Sequence, residues 1–230
     1  MKYITPPFYW SLLGFVRAIV FTLARVQVTG KENVPRKGPL IIASNHVNNA
    51  DPPVIGATMP RRLVFMAKHE MFQWPILGLV ARLGGAFPVR RSEADLGALR
   101  KATQVLRNGE ALVMFPEGTR SRDARLHEAH PGTALLALRS EAPVLPVAIT
   151  GTEKVVIIRL PLDLIRFRRP RVHVVVGQPF FLPPVERITT EEVERCTGII
   201  MARIAALLPP SYRGQYADKV ATGGGPERPQ

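Results

Sequence analysis

Short apolar runs alternate with longer amphipathic stretches along most of the chain. The runs are rich in β-branched residues and are bounded by Gly, Pro, Asn or Asp, which is typical of buried strands. Strands are predicted at residues 39–43, 62–67, 85–89, 111–115, 144–149 and 172–176. The alternation of strands with helices predicts an α/β fold in which helices flank a mostly parallel sheet.

Helix signals fill the intervals between these strands. Asp51 is the predicted N-cap of the helix after the first strand, with Pro52 at its first helical position. Further helices are predicted over about residues 70–83, from a capping-box pattern at 92–95 to 108–109, over 132–139, and from a cap at 189–192 to about 208.

Residues 8–26 form a further predicted helix, which is amphipathic. Its broad apolar face consists of Phe8, Leu12, Leu13, Val16, Ile19, Val20 and Leu23. Arg25 lies opposite this face, and Arg17 lies at the edge of the opposite side. Because a central Arg costs roughly 2.5–3.5 kcal/mol on insertion scales, a membrane-spanning helix is disfavoured. Two interpretations remain open: a membrane-contact helix that lies in the headgroup region, or a helix packed on the domain's own core.

The length and composition fit one α/β domain. In the chain of 230 residues we expect a helical segment at 1–28, a folded domain at 29–212 and a disordered tail at 213–230. Lys and Arg number 31 against 18 Asp and Glu, so the formal net charge is +13. This excess indicates an anionic partner: a nucleic acid, an anionic membrane or a phosphorylated substrate. The single cysteine, Cys196, excludes an intrachain disulfide and fits a reducing compartment.

A histidine and an aspartate stand in an H-x₄-D pattern directly after the first predicted strand. His46 lies at the carboxyl end of the strand, and Asp51 begins the next helix. A carboxylate on one ring nitrogen fixes the imidazole tautomer and leaves the other nitrogen free as a base. The alternative is an Asp that only caps a helix beside a surface His.

A second and more specific motif, FPEGTR, covers residues 115–120 after another predicted strand. Gly118 lets the backbone approach a ligand, Thr119 offers a hydroxyl, and Arg120 offers a planar fork suited to phosphate. Sites in open α/β sheets lie at the carboxyl ends of the strands. We therefore expect the two motifs to converge.

The motifs resemble those of the lysophosphatidic acid (1-acylglycerol-3-phosphate) acyltransferase family, within the glycerolipid acyltransferase superfamily. Four sequence blocks occur in the family's order within about residues 27–180, at 45–51, 85–91, 115–121 and 144–148. The first and third blocks are specific matches, and the other two are looser. One departure concerns a Lys that many members carry before the Gly after the third block, where this chain has His130, Pro131 and Gly132.

The resemblance implies a role for each matched residue. His46 is the general base and Asp51 orients it. The acceptor phosphate is held by Arg91, Glu117, Gly118, Thr119 and Arg120, and Pro146 shapes the acyl-donor side. His127 and His130 lack the H-E-x-x-H spacing of a zinc site, so neither a metal nor a cofactor is expected.

The implied function is transfer of a fatty acyl chain from acyl-CoA or acyl-carrier protein to the free hydroxyl of 1-acylglycerol-3-phosphate, which gives phosphatidic acid. Alternatives are another lysophospholipid or glycerol 3-phosphate as acceptor, and a non-catalytic anionic-lipid-binding protein. The protein is expected to lie on an anionic membrane surface at the cytoplasmic face, in part through arginines between residues 159 and 171. A nucleic-acid partner is disfavoured because no base-reading module is recognisable.

Overall fold

Seven strands and seven α-helices are found in residues 6–90, 95–155 and 169–221, the part of the chain that the computed structural model describes. The strands are β1 (Arg25–Thr29), β2 (Leu40–Ser44), β3 (Leu63–Lys68), β4 (Phe87–Val89), β5 (Ala111–Met114), β6 (Val144–Thr150) and β7 (Arg171–Val176). The helices are α1 (Pro6–Leu23), α2 (Asp51–Thr58), α3 (Pro75–Leu83), α4 (Leu96–Arg107), α5 (Gly132–Ser140), α6 (Thr190–Leu207) and α7 (Ala217–Ala221).

The strands form one sheet in the order β1-β7-β6-β2-β5-β3-β4. Every neighbouring pair is parallel except β6 and β7, which run antiparallel. The predicted α/β fold with a mostly parallel sheet is therefore confirmed. β2 lies at the centre, and all of its residues are buried, as expected for a strand covered on both faces.

Helices cover both faces because side chains alternate between the two faces along each strand. On one face, Ile41 and Ala43 pack in a cluster with α4, α5 and α6. On the other face, Leu40 and Ile42 pack in a cluster with α1 and α2. Full burial of one such Leu or Ile side chain contributes roughly 1.5–3 kcal/mol, so the two layers hold β2 in place and fix where it ends.

One side of α1 packs on the domain core, as the core-packing interpretation of this helix predicts. Tyr9, Leu13 and Val20 are buried there. The guanidinium of Arg17 donates hydrogen bonds to the backbone oxygens of Ala57, at 2.9 Å, and Met59, at 3.0 Å. These carbonyls belong to the carboxyl end of α2, which needs such donors. Arg17 is thus a structural clamp between α1 and α2.

The other side of α1 is also apolar and faces away from the core. Trp10, Phe15, Ile19 and Phe21 are each between 40% and 64% exposed. Ile19 was predicted on the same face as Val20, which is buried, so that face is split between core and surface. Among the described residues, no helix is both long and apolar enough to cross a membrane.

Several element boundaries differ from the prediction. The N-terminal helix ends at Leu23, and residues 25–29 form the edge strand β1. The helix predicted over 70–83 is a 3₁₀ turn, His69–Gln73, followed by α3. Pro75 begins this new helix because proline has no N–H to continue the preceding turn and suits a first helical position. Thr189 caps α6 as predicted, accepting a hydrogen bond from the N–H of Glu192.

The segment that was expected to be a disordered tail begins with regular structure. Residues 214–216 form a 3₁₀ turn and α7 follows it, and the side chain of Tyr216 is buried in the cluster with α5 and α6. Residues 213–221 therefore differ from the prediction. Residues 222–230, and 92–94 of the predicted capping box, lie outside the described residues; Asp95 caps α4 by accepting from the N–H of Ala98.

Candidate active site

The two sequence motifs meet at the carboxyl ends of β2 and β5. These strands are parallel neighbours, with Ala43 opposite Met114 in the register. The residues after Ser44 and those after Met114 therefore leave the sheet side by side. The parallel pairing of β2 and β5 therefore brings the H-x₄-D and FPEGTR motifs together, as expected from the sequence.

His46 and Asp51 form a buried pair. Nδ1 of His46 lies 2.7 Å from Oδ2 of Asp51, and Asp51 is fully buried. The same oxygen accepts the backbone N–H groups of Val47, at 2.7 Å, and Asn48, at 2.8 Å. Because a carboxylate only accepts, the imidazole proton lies on Nδ1, and Nε2 is left as the basic nitrogen.

The prediction that Asp51 caps α2 is wrong. Asp51 is the first residue of the helix, and the N-cap position is taken by Ala50. The Asp51 carboxylate instead turns back to the loop that precedes it and closes that loop around His46. Its second oxygen, Oδ1, is buried without a hydrogen-bond partner among the described residues.

Phe115 supports the His46 ring from the neighbouring strand end. The two rings stack with centroids 4.2 Å apart and planes inclined by 25°. Within the described residues, Nε2 of His46 has no hydrogen-bond partner. The imidazole is thus held through Nδ1 and one ring face, and its basic nitrogen is available for proton transfer.

Glu117 joins the two motifs through their backbones. Its Oε1 accepts the N–H of His46 at 3.2 Å, and its Oε2 accepts the N–H of His127 at 3.0 Å. Burial raises the pKa of this carboxyl, although both N–H donors act in the opposite direction. Both oxygens are therefore occupied within the protein, and a carboxylate would in any case repel a phosphate.

Two residues that the sequence did not single out as site residues complete the support of His46. The backbone N–H of Ser121 donates to the carbonyl oxygen of His46 at 2.8 Å. The side-chain amide of Asn45 makes two hydrogen bonds with the backbone of Ile149 in β6, each of 2.8 Å. The only sequence signal was their position inside the two motif blocks.

Gly118, Thr119 and Arg120 form the exposed tip of the FPEGTR loop. Gly118 has a φ of +67°, and a Cβ on it would lie 2.5 Å from Cδ2 of His130. Only glycine fits this position without strain. Thr119 and Arg120 are exposed, and the Arg120 guanidinium has no ion-pair or hydrogen-bond partner within the described residues. An anion could therefore bind this guanidinium without displacing another group.

Two other predicted site residues are not brought to His46 by the described structure. Arg91 lies outside the described residues. Pro146 is buried within β6, where Gly177 packs so closely that a Cβ on Gly177 would lie 2.8 Å from Cγ of Pro146. In the described part of the chain, Pro146 does not line the apolar cavity beside His46, so its predicted place on the acyl-donor side has no support there.

This apolar cavity has a volume of about 290 Å³ and lies between α1, α2, β3 and α3. Phe115, which stacks on His46, forms part of its wall. Most of the remaining lining is apolar and includes Leu12, Leu13, Val16, Pro52, Pro53, Phe65, Met66 and Val80. Among the described residues, no group of three or more His, Cys, Asp or Glu side chains could hold a metal ion.

The sequence between the start of β1 and the end of β6 matches a known protein family. Residues 25–150 match the family model described as acyltransferase. The chain belongs to the acyltransferase family. The matched stretch contains both motifs, and it contains Asp51, Phe115, Glu117 and Ser121, which hydrogen-bond to His46 or stack on it.

Individual members of the acyltransferase family that resemble this chain share 26–35% of its residues over the aligned regions. A 1-acyl-sn-glycerol-3-phosphate acyltransferase of Borreliella burgdorferi is 35% identical over 56% of this chain and 52% of its own length. A lyso-ornithine lipid O-acyltransferase of Pseudomonas aeruginosa is 33% identical over 61% of this chain and 52% of its own length. The chain thus spans about half the length of these relatives. The crystal structure of the 1-acyl-sn-glycerophosphate acyltransferase of Thermotoga maritima matches with a TM-score of 0.64 and 26% identity, over 84% of this chain and 76% of that one.

Proposed function

We propose that the protein is an O-acyltransferase that moves a fatty acyl chain from a thioester donor to the free hydroxyl of 1-acylglycerol-3-phosphate, giving phosphatidic acid. The observation that carries the proposal is the buried pair of His46 and Asp51 at the end of β2. Nε2 of this imidazole has no hydrogen-bond partner within the described residues, and the ring stacks on Phe115, which forms part of the wall of the apolar cavity. Membership of the acyltransferase family and the names of several relatives support it.

The proposed reaction needs one proton acceptor and no covalent enzyme intermediate. Nε2 of His46 takes the proton of the acceptor hydroxyl while its oxygen attacks the thioester carbonyl, and Asp51 stabilises the imidazolium that forms. Collapse of the tetrahedral intermediate breaks the carbon–sulfur bond, and the imidazolium returns the proton to the departing thiolate. Such general base catalysis contributes about 10²–10⁴-fold to the rate.

Arg120 is the proposed contact of the acceptor phosphate. Its guanidinium is exposed and unpaired within the described residues, beside the Gly118 backbone at the tip of the FPEGTR loop. Thr119 can add a hydroxyl donor, and Arg91 remains a proposed second phosphate contact. Glu117 is reassigned from phosphate binding to positioning, because both carboxylate oxygens accept backbone N–H groups.

The apolar cavity is the proposed site of a fatty acyl chain. Each buried CH₂ group contributes about 0.8 kcal/mol, so an apolar wall beside His46 favours an acyl substrate over a polar one. The cavity does not discriminate between acyl-CoA and acyl-carrier protein as donor, since both present the same thioester-linked chain.

An anionic membrane surface is the proposed partner of the exposed side of α1. Phe15 and Phe21 are exposed there, and Arg169 donates to the backbone oxygen of Phe21 at 3.3 Å, which places a cation beside this surface. Exposed Arg25 and Arg171 lie opposite each other in the adjacent β1–β7 pair. Each basic residue near anionic lipid contributes about 1 kcal/mol, and the proposed location is the cytoplasmic face of the membrane.

An assay of the purified protein tests the proposed function. Lysophosphatidic acid is offered with acyl-CoA and, separately, with acyl-carrier protein, and the products are identified by mass spectrometry. Phosphatidic acid should form, and His46→Ala should lower kcat by at least about 10²-fold. His173→Ala, which removes an exposed histidine of β7, is the matched control and should retain full activity. Binding to anionic vesicles without turnover of any acceptor would instead favour a lipid-binding protein.

The same assay should also include acceptors other than lysophosphatidic acid. One relative is named a lyso-ornithine lipid O-acyltransferase. His130, beside Gly118, also stands where many family members carry a Lys. If another lysophospholipid, glycerol 3-phosphate or lyso-ornithine lipid gives a higher kcat/KM than lysophosphatidic acid, the acceptor assignment changes while the chemistry stands.

A further inference from the structure

The segment between α6 and α7 binds two loops that flank the His46 loop. We propose that Tyr212, in this segment, is a positioning residue for acyl transfer, because its backbone carbonyl holds one of these loops and its hydroxyl holds the other. The inference rests on the proposed function, since it assigns Tyr212 the task of keeping His46 in its reactive position. Tyr212 itself touches no reacting atom.

The first connection runs through the backbone of Leu126. The N–H of Leu126 donates to the carbonyl oxygen of Tyr212 at 2.9 Å, and the Leu126 side chain is buried. Gly214 lies so close that a Cβ on it would be 2.1 Å from the Leu126 oxygen, and its φ is +51°. The chain around Tyr212 and the chain around Leu126 are thus in direct backbone contact.

This contact reaches His46 in two steps. His127, the next residue after Leu126, donates its backbone N–H to Oε2 of Glu117 at 3.0 Å. Oε1 of Glu117 accepts the backbone N–H of His46 at 3.2 Å. Any shift of Leu126 therefore moves the donor that fixes the buried carboxylate, and the carboxylate fixes the His46 backbone.

The second connection runs through the Tyr212 hydroxyl. It donates to Oε1 of Glu153 at 2.7 Å, and Oε2 of Glu153 accepts the N–H of Gly151 at 2.9 Å. Burial and the Glu153 carboxylate raise the pKa of Tyr212 to about 12, so the hydroxyl remains a donor at neutral pH. Glu153 lies in the turn that follows β6.

That turn contacts the other side of the His46 loop. The side chain of Asn48 donates to the carbonyl oxygen of Val155 at 3.5 Å. Nearer the sheet, Ile149 of β6 is paired with Asn45 by two hydrogen bonds. The His46 loop therefore lies between two supports, and Tyr212 is bonded to both of them. A misplacement of about 1 Å in a reacting group can lower the rate about 10²-fold. Loss of the hydrogen bonds of Tyr212 should therefore have a measurable effect on kcat.

Tyr212→Phe tests the inference because it removes only the hydroxyl. Tyr216→Phe is the matched control, since Tyr216 is buried in the same segment and its hydroxyl has no hydrogen-bond partner within the described residues. We expect kcat to fall about tenfold in Tyr212→Phe with the KM of donor and acceptor within about twofold of wild type. Tyr216→Phe should match the wild type. A Tyr212→Phe protein with normal kcat per folded molecule, whatever its Tm, would overturn the inference, as would a change in KM alone.

A double-mutant cycle tests whether the two side chains act together. Glu153→Ala should lower kcat to a similar extent, and the double variant should be about as slow as the slower single variant. Additive losses would show that Tyr212 does not act through Glu153 and would overturn this connection.

A spectroscopic readout separates this inference from the proposed function. The imidazole NMR signal of His46, assigned by its loss in His46→Ala, should shift in Tyr212→Phe and not in Tyr216→Phe. Such a shift in a protein that acylates none of the acceptors would refute the function and leave the coupling of Tyr212 to His46 intact. An unshifted signal in an active enzyme would refute the coupling and leave the function intact.

Discussion

Oδ2 of Asp51 accepts the imidazole N–H of His46 and two backbone N–H groups of the same loop, whereas Oδ1 of Asp51 is buried without a partner among the described residues. One oxygen atom therefore fixes both the tautomer of the ring and the shape of the loop that carries it. A substitution at Asp51 affects these two properties differently, and this difference can be measured.

In Asp51→Asn, the amide oxygen can replace Oδ2 and keep the two backbone hydrogen bonds. The new NH₂ group then takes the place of the buried Oδ1, which already lacks a hydrogen-bond partner among the described residues, so the free energy of unfolding should fall by no more than about 1–3 kcal/mol. The neutral amide cannot stabilise the imidazolium, so kcat should fall by at least about 10²-fold. Asp95→Asn, at the half-buried cap of α4, is the control for both measurements. Equal kcat values for the two variants would remove Asp51 from the mechanism.

Glu117→Gln distinguishes positioning from phosphate binding. The amide can accept only one of the two backbone N–H groups and presents its own donors to the other. If Glu117 positions His46, kcat should fall about tenfold or more while the acceptor KM stays near the wild-type value. If Glu117 faced the phosphate, removal of its negative charge would lower the acceptor KM instead. Steady-state kinetics with the acceptor varied decides between these outcomes.

Arg120→Ala should act on the acceptor. A charged hydrogen bond contributes about 1.5–3 kcal/mol, so the acceptor KM should rise about ten- to hundredfold while the donor KM is little changed. Arg122→Ala, two residues away and also exposed, should have a much smaller effect. With a monoacylglycerol, which lacks the phosphate, Arg120→Ala should be no worse than the wild type. If removal of Arg120 and removal of the phosphate weaken use of the acceptor independently of each other, Arg120 does not contact the phosphate.

Replacement of Phe15 and Phe21 by Ser tests the proposed membrane contact of α1. Both rings are exposed, so their loss should weaken flotation with anionic liposomes and leave Tm nearly unchanged. Phe181→Ser removes an exposed ring outside α1 and should leave flotation intact. Deletion of residues 1–26 is a poorer experiment, because it also removes the buried Tyr9, Leu13 and Val20. If the double variant still floats normally, the membrane contact lies elsewhere.

Tyr212 should make the stability of the protein depend on pH in the alkaline range. The ordinary pKa of tyrosine is 10.0, and that of Tyr212 in the folded protein is about 12. Between these values the unfolded chain has lost this proton while the folded protein retains it, so the free energy of unfolding falls as pH rises. Tyr212→Phe should show a smaller fall than wild type in denaturant unfolding across this range. Identical curves for Tyr212→Phe and wild type would contradict the partly buried hydrogen bond between the Tyr212 hydroxyl and Glu153.

The central fold was predictable because β2 and β5 are continuous apolar runs whose neighbours are helical. β1 was missed because its alternating sequence, with Arg25 and Gln27 exposed, runs on from a helix without a clear break. The antiparallel direction of β7 could not be read from the sequence either, since periodicity gives the type of an element and not its orientation. The N-terminal helix was ambiguous for a physical reason, as both of its sides are apolar.

The candidate site was predictable to the extent that local spacing decides it. His46 and Asp51 are five residues apart, so the closing of one loop brings them together. The carboxylate of Glu117 meets the His46 backbone only through the pairing of β2 with β5. The approach of Tyr212 to Leu126 depends on the whole path of α6. No pattern within either segment reports such long-range contacts.

The pairing of β1 with β7 has a consequence for the synthesis of the chain. Among the strands of the described residues, β7 alone pairs with β1, and its register places Arg25 beside Arg171. At 5–20 residues per second, the ribosome needs about 7 to 30 s to make the intervening chain. During this interval β1 lacks its partner strand, and the aromatic residues of α1 precede most of the core that will cover one side of the helix. A nascent chain in this state can meet a lipid surface before the domain closes, so the proposed attachment to a membrane can come before folding.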